Sequence, residues 1–96
     1  MGFRLSRQAE EDLIEIYWQG ARQLGIEQAR RYHQQLQKCI QFLSKNPRAA
    51  RERTEITPPV RVYPFGSHLI VYSHTASEEI LIIRIRHGLE DWVNDQ

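Results

Sequence analysis

Ser6 to Pro47 reads SRQAEEDLIEIYWQGARQLGIEQARRYHQQLQKCIQFLSKNP, and this stretch decides the fold because two helical periodicities meet in it at a single glycine. Ala9, Leu13, Ile16, Tyr17, Gly20, Ala21 and Leu24 recur at helical spacing and form one apolar stripe. Ser6 stands where an N-cap belongs. Glu10, Glu11 and Asp12 follow near the positive end of the helix dipole. Gly25 is placed to stop this helix, as a glycine does just beyond a C-terminus. A second stripe, Ala29, Tyr32, Leu36, Cys39, Ile40 and Leu43, predicts a helix from about Glu27 to Lys45, ended by Asn46-Pro47. With almost no linker at Gly25, the two helices must fold back as an antiparallel hairpin.

Outward from the hairpin the period changes. Arg48 to Thr57 is polar and aperiodic and is expected to be a loop. Three strand-like runs follow: Val60–Tyr63, closed by a Pro64-Phe65-Gly66-Ser67 turn; His68–His74, closed by Ala76-Ser77; and Glu79–Arg86. Strict alternation in the last run puts Ile80, Ile82, Arg84 and Arg86 on one face and Leu81, Ile83, Ile85 and His87 on the other. Gly2–Leu5 is short and apolar enough for an edge strand, and Gly88–Asn94 for one closing helical turn. The predicted fold is α+β, in the order β-α-α-β-β-β. A helical hairpin packs on one face of a small, mostly antiparallel sheet.

Residues 1–96 are expected to form a single domain, since a chain of this length buries roughly 60–70% of its unfolded surface, enough for one core. A composition of 41% hydrophobic and 26% charged residues is that of a globular protein and argues against disorder. Cys39 is the single cysteine, so no internal disulfide forms and no oxidising compartment is needed. The longest apolar run, Ile80-Leu81-Ile82-Ile83, falls far short of the ~20 residues of a membrane span, and the N-terminus lacks a signal-peptide core. Gly2 followed by Ser6 touches a myristoylation pattern too short to weigh. The expected location is the cytoplasm, away from membranes.

The net charge of +1 conceals an asymmetry. Gly20 to Arg53 holds eight basic residues against two acidic ones, a local charge of +6, while Glu10 to Glu15 is acidic. Such a distribution suits an acidic protein partner or a complex already holding DNA; it is equally that of a solvated helical surface.

Catalytic sets are sparse. His33, His68, His74 and His87 show no ligand spacing beyond a loose His87–Asp91 relation, so no metal is expected. Cys39 lies on the buried stripe and is expected to be a small core residue. No phosphate loop or nucleophile elbow is present. One constellation survives: Arg61, Tyr63, Tyr72, Arg84, Arg86 and His87 fall on neighbouring strands. A histidine among arginines could cleave RNA, with the histidine moving protons and the arginines neutralising the transition state. The same arginines could instead grip acidic side chains of a partner, and His87 could simply end a strand.

Leu5-Ser6-Arg7-Gln8-Ala9-Glu10-Glu11-Asp12-Leu13 with Ile16-Tyr17, then Gln28-Ala29 with Tyr32 and Leu36, then Asn46-Pro47 with Arg51 and Arg53, come in a familiar order. Val60-Arg61, Phe65, His68-Leu69-Ile70-Val71-Tyr72 and Ile82-Ile83-Arg84-Ile85-Arg86-His87-Gly88 with Asp91 complete it. In this the chain resembles the ParE branch of the RelE/ParE superfamily of bacterial toxins, over nearly its whole length. Ala49-Ala50 replaces the glycine of that family's Pro-x-x-Gly-Arg stretch.

The resemblance implies the same fold, a toxin of a type II toxin–antitoxin system, and a ParD-like antitoxin lying over it in a hetero-oligomer. It implies DNA gyrase as target, no cofactor, no metal and no direct sequence-specific nucleic-acid binding. RelE-type members instead cut messenger RNA in the ribosome and carry a tyrosine or His-Tyr pair near the C-terminus. Here no tyrosine follows Tyr72, and the chain ends in acidic Asp91-Trp92-Val93-Asn94-Asp95-Gln96, which favours gyrase. The expected partner-binding residues are Arg61, Tyr72, Arg84, Arg86, His87 and Trp92. A ribonuclease would use His87, Arg84 and Arg61, and an inactive relative that only binds antitoxin is the third alternative.

Overall fold

Ser6 accepts a hydrogen bond from the Ala9 amide at 3.0 Å and so starts the first helix, as its position predicts. In the computed structural model, residues 2–74 and 79–88 are described. They form β1 (Gly2–Leu5), α1 (Arg7–Leu24), α2 (Ile26–Lys45), a short 3₁₀ turn (Pro47–Ala49), β2 (Glu52–Arg53), β3 (Val60–Phe65), β4 (His68–His74) and β5 (Glu79–His87). The closing helical turn expected over Gly88–Asn94 and the turn at Ala76-Ser77 lie outside the described residues.

Gly25 is the whole connection between α1 and α2. Its φ of 96° suits glycine, which has no Cβ to oppose a positive φ. Gly20 lets the hairpin close tightly, since a Cβ there would sit 3.4 Å from the Ala29 Cβ. The sheet order is β1-β5-β4-β3-β2, antiparallel throughout except for β1, which runs parallel to β5 at the edge.

The main core lies between hairpin and sheet. Leu13 of α1 and Leu36, Ile40 and Leu43 of α2 pack on Ile70, Tyr72, Ile80, Ile82 and Ile85. Cys39 joins this core as a half-buried residue, as expected. A second, smaller cluster of Ile56, Val60, Val62 and Val71 occupies the other face of the sheet, with Leu69 and Ile83 against it.

Three expectations need correction. The stretch Arg48–Thr57 is not all loop: it contains the 3₁₀ turn and the two-residue edge strand β2, with Glu52 opposite Arg61 and Arg53 opposite Val60. Leu24, expected on the apolar stripe, is 71% exposed because the hairpin projects beyond the sheet there. The strict alternation of β5 also fails. Tyr72 pairs with Ile82 but Val71 pairs with Arg84, so Ile83 is an extra residue, a β-bulge. The bulge exchanges the faces beyond it. Ile85 then follows Ile80 and Ile82 into the main core, where alternation had placed Arg84.

Candidate functional site

β1 ends at Leu5 opposite Ile82, so the outer edge of β5 beyond that point has no strand beside it. Side chains at the start of α1 take over. The Ser6 hydroxyl donates to the Ile83 carbonyl at 2.6 Å, and the Asp12 carboxylate accepts from the Ile85 amide at 2.9 Å. Arg84 reaches the same carboxylate through two donors, at 2.8 and 3.0 Å. This fork-like pair is part-buried, so it is screened less than a surface ion pair and fixes α1 to the bulged strand. Arg84 was expected to meet a partner or a phosphate. Its guanidinium is instead engaged with Asp12 of the same chain.

The remaining residues of the expected constellation separate to two ends of the sheet. At one end, Tyr72 is fully buried, with 0% exposure. Its hydroxyl donates to the Pro47 carbonyl at 2.8 Å and accepts from the Ala50 amide at 3.4 Å. Arg61, opposite Tyr72, donates to the Ala50 carbonyl at 2.6 Å. Burial pushes the Tyr72 phenol up, with the Ala50 hydrogen bond and the Arg61 charge opposing. Tyr72 was expected at a partner-binding surface; it is instead the anchor of the 3₁₀ turn, because β4 is the middle strand of the sheet and its residue 72 faces the helices.

At the other end, His87 is exposed and pairs across β5 and β4 with His68, their ring centroids 5.5 Å apart and nearly perpendicular. His68 Nδ1 lies 2.7 Å from the Tyr32 hydroxyl, which also donates to the Phe65 carbonyl at 3.3 Å. Burial raises the Tyr32 phenol as well, opposed by a backbone hydrogen bond with Ser67. Gly66 turns the chain with φ 55°, and a Cβ at that position would lie 2.6 Å from the Tyr32 oxygen. The Gly88 amide donates to the Ser67 carbonyl at 2.7 Å and ties the end of β5 to the β3–β4 turn. The three rings border a groove of about 450 Å³ between this turn and the open end of the helical hairpin.

Thus Arg61, Arg84 and His87 do not converge. Along β4, the partners of Arg61 and His87 are four residues apart, about 13 Å at the rise of a strand. Arg86 is half-buried on β5 beside His87, while Trp92 and Asp91 lie outside the described residues. No group of three or more His, Cys, Asp or Glu converges among the described residues.

Two features escape a reading of the sequence. Tyr32 and His68 were assigned to a core stripe and to a strand, yet they build the groove with His87. Ile14 and Trp18, one helical turn apart on α1, are 59% and 54% exposed. The signal for them was present: both are large apolar residues that fall off the stripe and have no core slot to fill.

Similarity to known proteins agrees with this architecture. The family described as ParE toxin of type II toxin-antitoxin system, parDE, matches residues 3–92. Toxin ParE1 of Mycobacterium tuberculosis (strain ATCC 25618 / H37Rv) is 34% identical over 89 residues, spanning 93% of this chain and 91% of that toxin. Toxin ParE1 of Caulobacter vibrioides is 31% identical over 85 residues, 88% of this chain and 86% of the relative. Among solved structures, a chain of the chromosomal ParDE TA system from P. aeruginosa superposes with a TM-score of 0.76 at 24% identity, covering 91% of this chain and 95% of its own, and shares the fold.

Proposed function

Because the chain belongs to the ParE toxin family of type II toxin–antitoxin systems, we propose that it acts by binding DNA gyrase and holding it with the DNA broken, and that a ParD-like antitoxin keeps it silent. It is a binding protein in this reading, with no active site of its own. One observation carries it: the side chains that ribonuclease chemistry would use are apart, with Arg84 engaged by Asp12 and Arg61 by the Ala50 carbonyl. A toxin that prefers the cleaved-DNA state of gyrase shifts the population toward that state, by no more than its differential affinity. Each tenfold preference corresponds to about 1.4 kcal/mol.

Partner contacts fall to the surfaces that remain. The exposed Ile14 and Trp18 suit the apolar face of an antitoxin helix, and Arg86 with His87 suits acidic or polar groups. A gyrase poison acts in the cytoplasm, and no helix among the described residues is long and apolar enough to cross a membrane.

Inducible expression in a bacterial host tests the reading. The expected outcome is growth arrest with broken chromosomal DNA and intact messenger RNA, relieved by co-expression of the antitoxin. Arrest with cleaved messenger RNA and intact DNA would move the assignment to the ribosome. Harmless expression of folded protein would make the chain an inactive relative.

A further inference from the structure

We propose that the groove at the Tyr32–His68–His87 end of the sheet binds the phosphate of a mononucleotide-sized phosphate monoester. The inference is independent of the gyrase reading. At about 450 Å³ the groove lies within the range of small-molecule sites. Its floor is apolar, formed by Ile16 and Ala29. Its polar rim includes Gln23, Arg31, Gln35, Tyr32, His68 and His87, and no carboxylate lines it among the described residues. Arg31 is a permanent cation, and the two imidazoles accept protons near neutral pH. Such a lining disfavours a metal ion and favours a dianion, and a monoester carries more charge than a diester.

The donors are also held in place. Tyr32 fixes the His68 ring through the 2.7 Å contact at Nδ1, and the Gly88–Ser67 backbone bond keeps His87 beside it. Their centroid separation of 5.5 Å leaves both rings within reach of one tetrahedral anion. Glutamine amides on the helical wall can donate to and accept from the rest of a nucleotide. Fixing the donors beforehand reduces the ordering cost of binding.

The test is a titration of the isotope-labelled full chain, followed by nuclear magnetic resonance. The probes are inorganic phosphate, adenosine 5′-monophosphate, a short single-stranded oligonucleotide without terminal phosphates, and sodium acetate at matched ionic strength. Saturable shifts of the His68 and His87 rings and of the Gly66 and Gly88 amides are expected with phosphate. Binding of the mononucleotide should be at least tenfold tighter, with no saturation by acetate. Arg31→Gln, at an exposed position, and His68→Gln should each weaken binding about tenfold or more, with the rest of the amide spectrum unchanged. Absence of saturable shifts, equal response to acetate, or unchanged affinity in Arg31→Gln would overturn the site. Tighter binding of the oligonucleotide than of the mononucleotide would overturn the monoester assignment.

Discussion

Two tyrosine hydroxyls sit at opposite ends of the same sheet, and their surroundings differ in kind. Tyr72 is sealed in the core and satisfied by backbone groups alone, the Pro47 carbonyl and the Ala50 amide. Tyr32 is half-buried, and one of its partners is the titratable His68, at the mouth of an open groove. The first arrangement fastens the chain after α2 onto the sheet. The second holds a histidine pair ready at the surface. A buried hydroxyl is therefore no sign of function until its partners are known: backbone partners mark a fastening, and a titratable partner beside a cavity marks a site.

The comparison is broken most readily at Tyr72. Tyr72→Phe leaves a buried carbonyl and a buried amide unsatisfied and should cost about 1–3 kcal/mol in denaturant unfolding. A cost within error of zero would show that the 3₁₀ turn is not held there. Alkaline pH sharpens the same point. Both phenols are raised above the ordinary value of 10.0, so the folded state holds their protons where the unfolded state releases them. Their contribution is fully present below the unfolded value and is lost as pH rises through it toward the folded values. Unfolding measured from pH 8 upward should show falling stability above about 10, with a shallower fall in Tyr72→Phe. An unchanged slope in that variant would remove Tyr72 as a source.

Gly66→Ala acts at the other end. It places a side chain at positive φ, costing about 1–2 kcal/mol, and drives a Cβ into the Tyr32 hydroxyl. Thermal unfolding should report the loss, and the His68 ring resonances should move with it. Preserved stability with an undisturbed His68 would contradict the close approach. Tyr32→Phe should cost less than Tyr72→Phe, about 1 kcal/mol or below, because water can reach the groups it leaves. A reversed order would invert the comparison. Smallest is His87→Ala, expected within about 0.5 kcal/mol of the parent because the residue is exposed. A large loss would make His87 a fastening too.

The helical half of the molecule was legible because a 3.6-residue period leaves little choice of face and Gly25 punctuates it. Strands β1 and β4 were legible for similar reasons, as short apolar runs bounded by turn residues. The face of β5 was not. In Ile80-Leu81-Ile82-Ile83-Arg84-Ile85 every neighbour is apolar, so nothing in the run marks Ile83 as the extra residue, and one slip reverses all that follows. β2 escaped because two polar residues, Glu52 and Arg53, carry no period at all. The histidine pair was equally hidden. His68 and His87 are nineteen positions apart in the sequence and adjacent only through the register of β4 and β5. Arg84 misled for a simpler reason: its partner, Asp12, read as a helix-start acid, and only the vacant edge of β5 brings the two together.

The central claim, that this family member acts on gyrase by binding, has a direct measurement. Purified protein is incubated with gyrase, supercoiled plasmid and ATP, then treated with detergent and protease and resolved on a gel. Linear DNA that accumulates only when both proteins are present is the predicted result. Undiminished supercoiling without cleavage, from protein shown to be folded, would contradict it.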